Sequence, residues 1–287
     1  MAKRREIRKT YKLYINGRFP RSESGRTYEW SIPDGDQVIN VCRGSRKDFR
    51  DAVASARKAF PRWRRRTAYN RGQILYRVAE MLEARREQFV DELTLQGSSK
   101  RQSRKEVDAA VDRLIYYAGW ADKFQQIFSS VNPVAMPYFN YTVPESMGVV
   151  SAICFDSSSL LELVSVMAPV IIGGNTCVLL SSQSKPLSAV TFAEVLHSSD
   201  VPPGVVNIMT GFRSELLGHF ASHMDVDAII YCGEDESEIR SVEAQSAVNV
   251  KRVTILNEKD MHKDSSQGPY HILRTQELKT TWHPVGV

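Results

Sequence analysis

A short run of potentially reactive side chains follows an apolar, strand-like segment of the chain. Residues 148–154 are predicted to form a buried strand, and Cys154, Asp156 and Ser157 lie at its end or just after it. A thiol, a carboxylate and a hydroxyl could supply the nucleophile and the base of a catalytic site. His197 is expected nearby as a further available polar group, but no nucleophile–base spacing follows from these four residues. Because serine-rich loops usually form turns, a turn is the favoured interpretation.

The cysteines indicate a reducing environment. The chain has four cysteines and no CxxC pair. Cys154, Cys177 and Cys232 each lie in an apolar strand-like run, as buried reduced thiols do. The first residues are charged and are not followed by the apolar stretch of a secretion signal. We therefore expect a cytoplasmic protein without disulfides or a metal site.

The elements that would position these side chains alternate regularly between residues 148 and 256. Helical patterns separate five apolar strand-like runs, predicted at residues 148–154, 176–180, 205–209, 228–232 and 252–256. This alternation predicts an α/β fold with a Rossmann-like wound parallel sheet. Ligands of such sheets usually bind at the carboxyl ends of the strands. Before this core, residues 12–15 predict a short strand and Asn16-Gly17 predicts a hairpin turn. Apolar residues at helical spacing then predict scaffold helices at residues 48–59, 71–95 and 104–128.

Charge and hydropathy restrict the function classes. The 287 residues carry a formal charge of +5, with basic clusters at residues 3–12, 57–71 and 100–105. A basic face could attract nucleic acid, but no nucleic-acid motif accompanies it, so nucleic acid is not expected as a partner. A basic binding module that uses residues 64–66 and 100–104 is a weaker alternative. No membrane span is expected, because Glu162 interrupts the apolar run at residues 160–174.

Several segments together resemble the nucleotide-binding domain of the aldehyde dehydrogenase family. They are PESMGVV at 144–150, MAP at 167–169, GGNT at 173–176, KPLSA at 185–189 and PPGVVN at 202–207. Further similarity, in YING at 14–17 and ELKTTW at 277–282, extends the resemblance over nearly the whole chain. Residues 19–26 resemble the second half of the double-length members of this family.

The resemblance implies aldehyde oxidation, but the implied catalytic groups are absent or changed. The segment with the nucleophilic cysteine has no counterpart. Ser157 stands at the position of the oxyanion-stabilising asparagine, and Leu256 at that of the general-base glutamate. Glu258 could serve as that base only after a small shift of the alignment. No dehydrogenase activity is therefore expected of the chain on its own.

The cofactor positions implied by the resemblance are also altered. Leu180 stands where a lysine contacts the cofactor ribose, although Gln183 could still bond a ribose hydroxyl. At the helix that would receive the pyrophosphate, Gly233 is followed by Glu234 and two further acidic residues. These carboxylates would repel a pyrophosphate, and helix capping is their favoured role. No cofactor is expected, and NAD or NADP would be the ancestral ligand.

The resemblance implies a whole catalytic domain between the core and the C-terminal strand, and the twenty residues found there are too few to contain one. The predicted segments are a hairpin and helical layer (1–136), the first part of an oligomerisation arm (137–147), the Rossmann-like core (148–256), a linker replacing the catalytic domain (257–270) and a C-terminal oligomerisation strand (271–287). The resemblance implies that the arm pairs with another subunit. The residues predicted for this contact are Tyr138, Asn140, Thr142, Lys279, Thr280 and Trp282.

These observations favour a catalytically silent subunit that pairs with a full-length aldehyde dehydrogenase or with itself. One alternative is an enzyme of different chemistry whose pocket is lined by Asp156 and residues 157–159. Another is residual NAD-dependent activity that requires a catalytic partner.

Overall fold

The computed structural model describes residues 9–33, 38–156, 159–258 and 260–286. The strands are β1 (Thr27–Ser31), β2 (Val38–Cys42), β3 (Ser130–Asn132), β4 (Tyr138–Ser146), β5 (Val149–Ile153), β6 (Thr176–Leu180), β7 (Val206–Met209), β8 (Ala228–Cys232), β9 (Arg252–Leu256) and β10 (Gln276–Pro284). The helices are α1 (Arg46–Arg64), α2 (Ala68–Glu83), α3 (Arg86–Leu95), α4 (Lys100–Trp120), α5 (Phe124–Phe128), α6 (Leu161–Ile172), α7 (Leu187–His197), α8 (Arg213–Ser222), α9 (Glu236–Ser246) and α10 (Pro269–Leu273).

The central sheet has the strand order β7-β6-β5-β8-β9, and all of its pairs are parallel. Every residue of β5, β6 and β8 is buried, which explains why these strands are continuous apolar runs rather than alternating ones. One face of the sheet packs against α6 and α7, and the other packs against α1, α8 and α9. The predicted α/β wound sheet is confirmed, and its five strands agree with the prediction to within one residue.

The helical layer that precedes the core begins at well-defined caps. Capping boxes start α1 at Ser45 and α4 at Ser99, where each serine accepts a hydrogen bond from a first-turn N–H group. The predicted helix at 71–95 is two helices, α2 and α3, and that at 104–128 is α4 followed by α5. Apolar periodicity continues across both breaks, so it did not reveal them.

A tight turn attaches the N-terminal segment to the edge of the central sheet. Asn16 and Gly17 have positive φ angles of 53° and 70°, as the turn predicted from this dipeptide requires. Tyr14 exchanges two backbone hydrogen bonds with Ile208, at 2.9 and 2.8 Å. Within residues 12–15, Tyr14 and Ile15 form isolated bridges, and the predicted regular strand is not formed.

A separate three-stranded sheet, which we call the arm, has the order β10-β4-β3. β4 and β10 are antiparallel. Their register runs from the pair Tyr138 and Pro284 to the pair Ser146 and Gln276. Gly148 joins the arm to β5 with a φ angle of +144°, and a Cβ atom there would collide with the Asp227 carboxylate. The junction between arm and core therefore requires glycine.

The segment at 257–270 packs back onto the helical layer. It contains a 3-10 turn at Asp264–Ser266 and the start of α10. The Arg113 guanidinium of α4 donates hydrogen bonds to the carbonyls of Met261 (2.7 Å) and Ser266 (2.9 Å). No helix in the described ranges is both long enough and apolar enough to cross a membrane.

Candidate functional site

The carboxyl edge of the central sheet brings several of the predicted site residues together. Leu180 is the last residue of β6 and is buried, whereas Leu256 ends β9 and is half-buried. Gly233 follows β8 directly, and Gln183, after β6, is exposed. Ser157 lies outside the described residues.

Asp156 joins the loops that follow β5 and β6. Its carboxylate accepts hydrogen bonds from the Ser182 hydroxyl (2.8 Å) and the Ser184 backbone N–H (2.7 Å), and its carbonyl accepts one from the Ser184 hydroxyl (2.6 Å). The Trp30 indole N–H donates to the Ser184 carbonyl at 2.6 Å. These groups therefore hold the loops by bonding one another, as in the favoured turn interpretation.

The amino end of α9 is occupied by the chain's own carboxylate. Asp235 caps the helix and accepts from the backbone N–H groups of Ser237 (2.8 Å) and Glu238 (3.0 Å). These bonds hold the pKa of the Asp235 carboxyl below its usual range. The predicted capping role is thus confirmed for Asp235, next to Glu234, which is exposed.

Arg213, at the start of α8, links the end of β8 to the first turn of α9. Its guanidinium donates to the Cys232 carbonyl at 2.5 Å and lies 3.2 Å from Glu238 Oε2. It also lies 4.8 Å from the centre of the Tyr231 ring, whose hydroxyl donates to Glu238 at 2.6 Å. No sequence pattern predicts this cluster, since Arg213 and Glu238 belong to different helices.

The thiols near this edge are poor nucleophiles. Cys154 and Cys232 are buried, and burial raises the pKa of both thiols well above the ordinary value. Nearby Glu162 raises both pKa values further. Since the thiolate is the reactive form, the described cysteines here are not activated for attack.

His197 does not join this group. It ends α7, and its ring packs edge-on against Phe19 at 5.7 Å and Tyr14 at 6.4 Å. The expectation that His197 is available beside Asp156 is therefore wrong. Because α7 starts after the carboxyl end of β6 and runs back along the sheet, its last residue lies at the opposite edge.

The predicted arm residues divide between two faces of the arm. Tyr138, Asn140, Thr142, Thr280 and Trp282 share one face because they lie at paired register positions, whereas Lys279 lies on the other. On the first face, the Thr142 and Thr280 hydroxyls are 2.9 Å apart, and the rings of Tyr138 and Trp282 meet edge-on at 5.8 Å.

Only part of this first face is buried. Asn140 is 3% exposed, whereas Trp282 is 57% exposed. On the opposite face, Lys279 pairs with Glu145 at 3.1 Å, and Phe139 is 47% exposed. Apolar rings are therefore open to solvent on both faces of the arm.

Known proteins identify the family of this fold. A model of the aldehyde dehydrogenase family matches residues 20–257. The chain belongs to the aldehyde dehydrogenase family. Mouse retinal dehydrogenase 2 is 35% identical over 256 residues, which cover 87% of this chain and 49% of the mouse protein. An aldehyde dehydrogenase of Alternaria alternata is 33% identical over 247 residues, covering 85% of this chain and 49% of the fungal protein.

Solved structures of the family show the same architecture. The NAD+ complex of aldehyde dehydrogenase from Bacillus cereus has a TM-score of 0.81 at 30% identity, over 86% of this chain and 50% of that chain. PnpE from Pseudomonas sp. WBC-3 has a TM-score of 0.82 at 31% identity, over 88% and 52%. This aldehyde dehydrogenase homologue thus spans about half the length of the relatives it matches.

We call the carboxyl edge of the central sheet the strand-end edge. Its residues do not fit the NAD that the family relation suggests as ancestral. A phosphate at a helix start needs free backbone N–H groups, and Asp235 already bonds those of Ser237 and Glu238. Glu236 adds a second acidic side chain in the first turn of α9. Leu180 offers no donor to a ribose.

Proposed function

We propose that this chain is a catalytically silent aldehyde dehydrogenase homologue that serves as a structural or regulatory subunit. It pairs through the arm with a full-length aldehyde dehydrogenase or with a second copy of itself. The exposed arm is the observation that carries this proposal.

The chemistry of the arm supports pairing with another chain. Val131, Leu278 and Trp282 are 66%, 55% and 57% exposed on a sheet of only three strands. Exposed apolar patches and open strand edges are typical of protein–protein contacts. A second arm placed against β10 or β3 would cover an open strand edge and part of the exposed apolar surface.

The strand-end edge supports the proposal that the chain is catalytically silent. Cys154 and Cys232 are buried with raised pKa values, and Asp235 occupies the amino end of α9. Asp156 is engaged by Ser182 and Ser184, which speaks against its use as a base in an enzyme of different chemistry. Residual NAD-dependent activity in a complex would have to come from the partner's own catalytic site.

Native mass spectrometry of the tagged chain, purified from its own cells, tests this proposal. We expect a stoichiometric complex with a full-length aldehyde dehydrogenase or a homo-oligomer. A chain found only as a monomer at micromolar concentration would contradict the proposal.

A double substitution shows whether the arm makes the contact. Trp282→Ala with Thr280→Ala should reduce the assembly to single chains, because both side chains lie on one exposed face. Tyr76→Ala is the matched control, since Tyr76 is 50% exposed on α2, outside the arm. An unchanged mass in the double variant would reject pairing through this face.

A further inference from the structure

A cavity of about 420 Å³ lies between α4, the start of α6 and the segment that follows β9. Its lining includes Gln102 and Glu106 of α4, Phe155, Glu162 of α6, and His262. Its volume falls within the range of about 300–1,000 Å³ that is typical of small-molecule sites. The cavity shares no lining residue with the arm, so it does not depend on the proposed assembly.

Glu162 is the unusual group in this lining. Its side chain is fully buried, and the Phe155 backbone N–H donates to Oε1. The other oxygen, Oε2, is buried and has no hydrogen-bond partner in the described part of the chain. Buried polar atoms are nearly always satisfied, and an unpartnered buried carboxylate is costly. Because Glu162 lines the cavity, a ligand held there could supply the missing partner.

The charges around Glu162 indicate the chemistry of that partner. Burial raises the pKa of Glu162 well above its usual range, although the hydrogen bond from the Phe155 N–H and the charge of Arg213 both lower it. The carboxylates of Glu106 and Asp156 raise this pKa further. The thiols of Cys154 and Cys232 also lie close enough to interact with this carboxyl. Glu162 is therefore a carboxyl whose neighbours leave its negative charge insufficiently compensated.

The lining as a whole is more acidic than basic. Its carboxylates are Glu106, Glu162, Glu258 and Asp260, and its ammonium groups are Lys105 and Lys185. Burial and the charge of Lys105 lower the pKa of His262, so that this imidazole is neutral at pH 7. The balance favours a cationic occupant.

We propose that this cavity binds a small organic cation, an alkylamine or a guanidino compound, whose charged head donates hydrogen bonds to Glu162. The cation satisfies Oε2 and allows Glu162 to ionise, because the new ion pair offsets the cost of burying the charge. Binding therefore releases the proton that the free carboxyl holds.

Calorimetry and thermal shift on the full chain test this proposal. The probes are 1,4-diaminobutane and agmatine, compared with butyrate and 1-butanol at equal ionic strength. We expect saturable binding and a rise in Tm with the two cations only. Binding of butyrate instead would assign the cavity to an anion held by Lys105. No binding by any probe would leave water as the partner of Glu162. Either result overturns the proposal.

Two variants separate the site from general charge effects. Glu162→Gln keeps the size of the side chain but removes its negative charge, so we expect amine affinity to fall by about tenfold or more. Glu243→Gln, at an exposed glutamate of α9, should bind like the unmodified chain. Equal losses in the two variants would show non-specific attraction and overturn the proposal.

A direct measurement covers the case in which Glu162→Gln does not fold. The 13C chemical shift of the Glu162 carboxyl should move from the protonated to the ionised position when amine is added. A carboxyl shift that does not respond to bound amine would place the cation elsewhere.

Discussion

The strand-end edge of the central sheet and the arm differ in how far their side chains are engaged within the chain. At the strand-end edge, Asp156 and Asp235 bond neighbouring hydroxyl and N–H groups of the same chain. In the arm, Trp282 and Phe139 are about half exposed. At the edge where a family member would bind its cofactor, these two carboxylates are engaged within the chain, whereas the apolar rings of the arm are open to solvent.

The difference has a simple physical origin. Loops that follow parallel strands lie side by side, so short polar side chains such as Ser182 and Asp156 can reach one another. A three-stranded sheet has two free edges and little core of its own, so it cannot bury its own apolar rings. Polar groups at the carboxyl ends of the strands can therefore bond one another within one chain. The apolar rings of the arm can be buried only by a second chain.

The junction between the two regions should be the most sensitive position. Gly148→Ala places a Cβ against Asp227 at a φ angle of +144°, so we expect a loss of about 3 kcal/mol or more in the free energy of unfolding. Gly25→Ala is the control, because Gly25 has a φ angle of +67° with open space around it, and should cost only about 1 kcal/mol. Urea unfolding measures both, and equal losses would show that the contact with Asp227 is unimportant.

Acid should weaken the base of the arm. Burial and the charge of Arg274 lower the pKa of His271, in the helix that leads into β10, from 6.5 to about 4. The unfolded chain therefore binds a proton more readily than the folded chain, and stability present above pH 6.5 is lost as the pH falls towards 4. Between pH 7 and pH 5 the loss from this group should be about 2 kcal/mol.

Variants isolate the contribution of this histidine to the pH dependence. His271→Gln should flatten the fall in unfolding free energy between pH 7 and pH 5, measured by urea unfolding at each pH. His283→Gln, at an exposed position of β10, should leave the fall unchanged. Parallel curves for His271→Gln and the unmodified chain would reject the assignment.

The cap at the strand-end edge should make a smaller contribution. Asp235→Ala removes the acceptor for two N–H groups of α9, so we expect a loss of about 1 kcal/mol. Glu236→Ala removes an exposed carboxylate that lies 3.5 Å from Arg240, and should change stability by less than about 0.5 kcal/mol. A larger effect for Glu236 than for Asp235 in thermal unfolding would show that capping does not stabilise this helix end.

The smallest expected effect is that of NAD on the unmodified chain. Because Asp235 occupies the helix start, millimolar NAD should leave the thermal midpoint unchanged, whereas a ligand bound to the native state would raise it. A full-length aldehyde dehydrogenase serves as the positive control. A midpoint that rises with NAD concentration would show that the edge still accepts the cofactor.

The sequence predicted the candidate site unevenly. The run of acidic residues after Gly233 correctly indicated a helix cap, because capping depends on residues two or three positions apart. The position of His197 was predicted wrongly, since it depends on the direction in which α7 crosses the sheet. Glu162 was noticed only as an interruption of an apolar run, and its burial could not be inferred from that pattern.

By itself, the sequence determined the order of strands and helices, the parallel sheet and the family. These features follow from local periodicity, from short turns such as Asn16-Gly17, and from motifs that lie within a few residues of one another. Only the tertiary structure decided which polar groups satisfy one another and which remain open. Asp156 meets Ser182 across 26 residues, and Glu162, with its unpartnered oxygen, lines a cavity built from distant segments. Such contacts depend on how the helices pack on the sheet, and no local pattern encodes that packing.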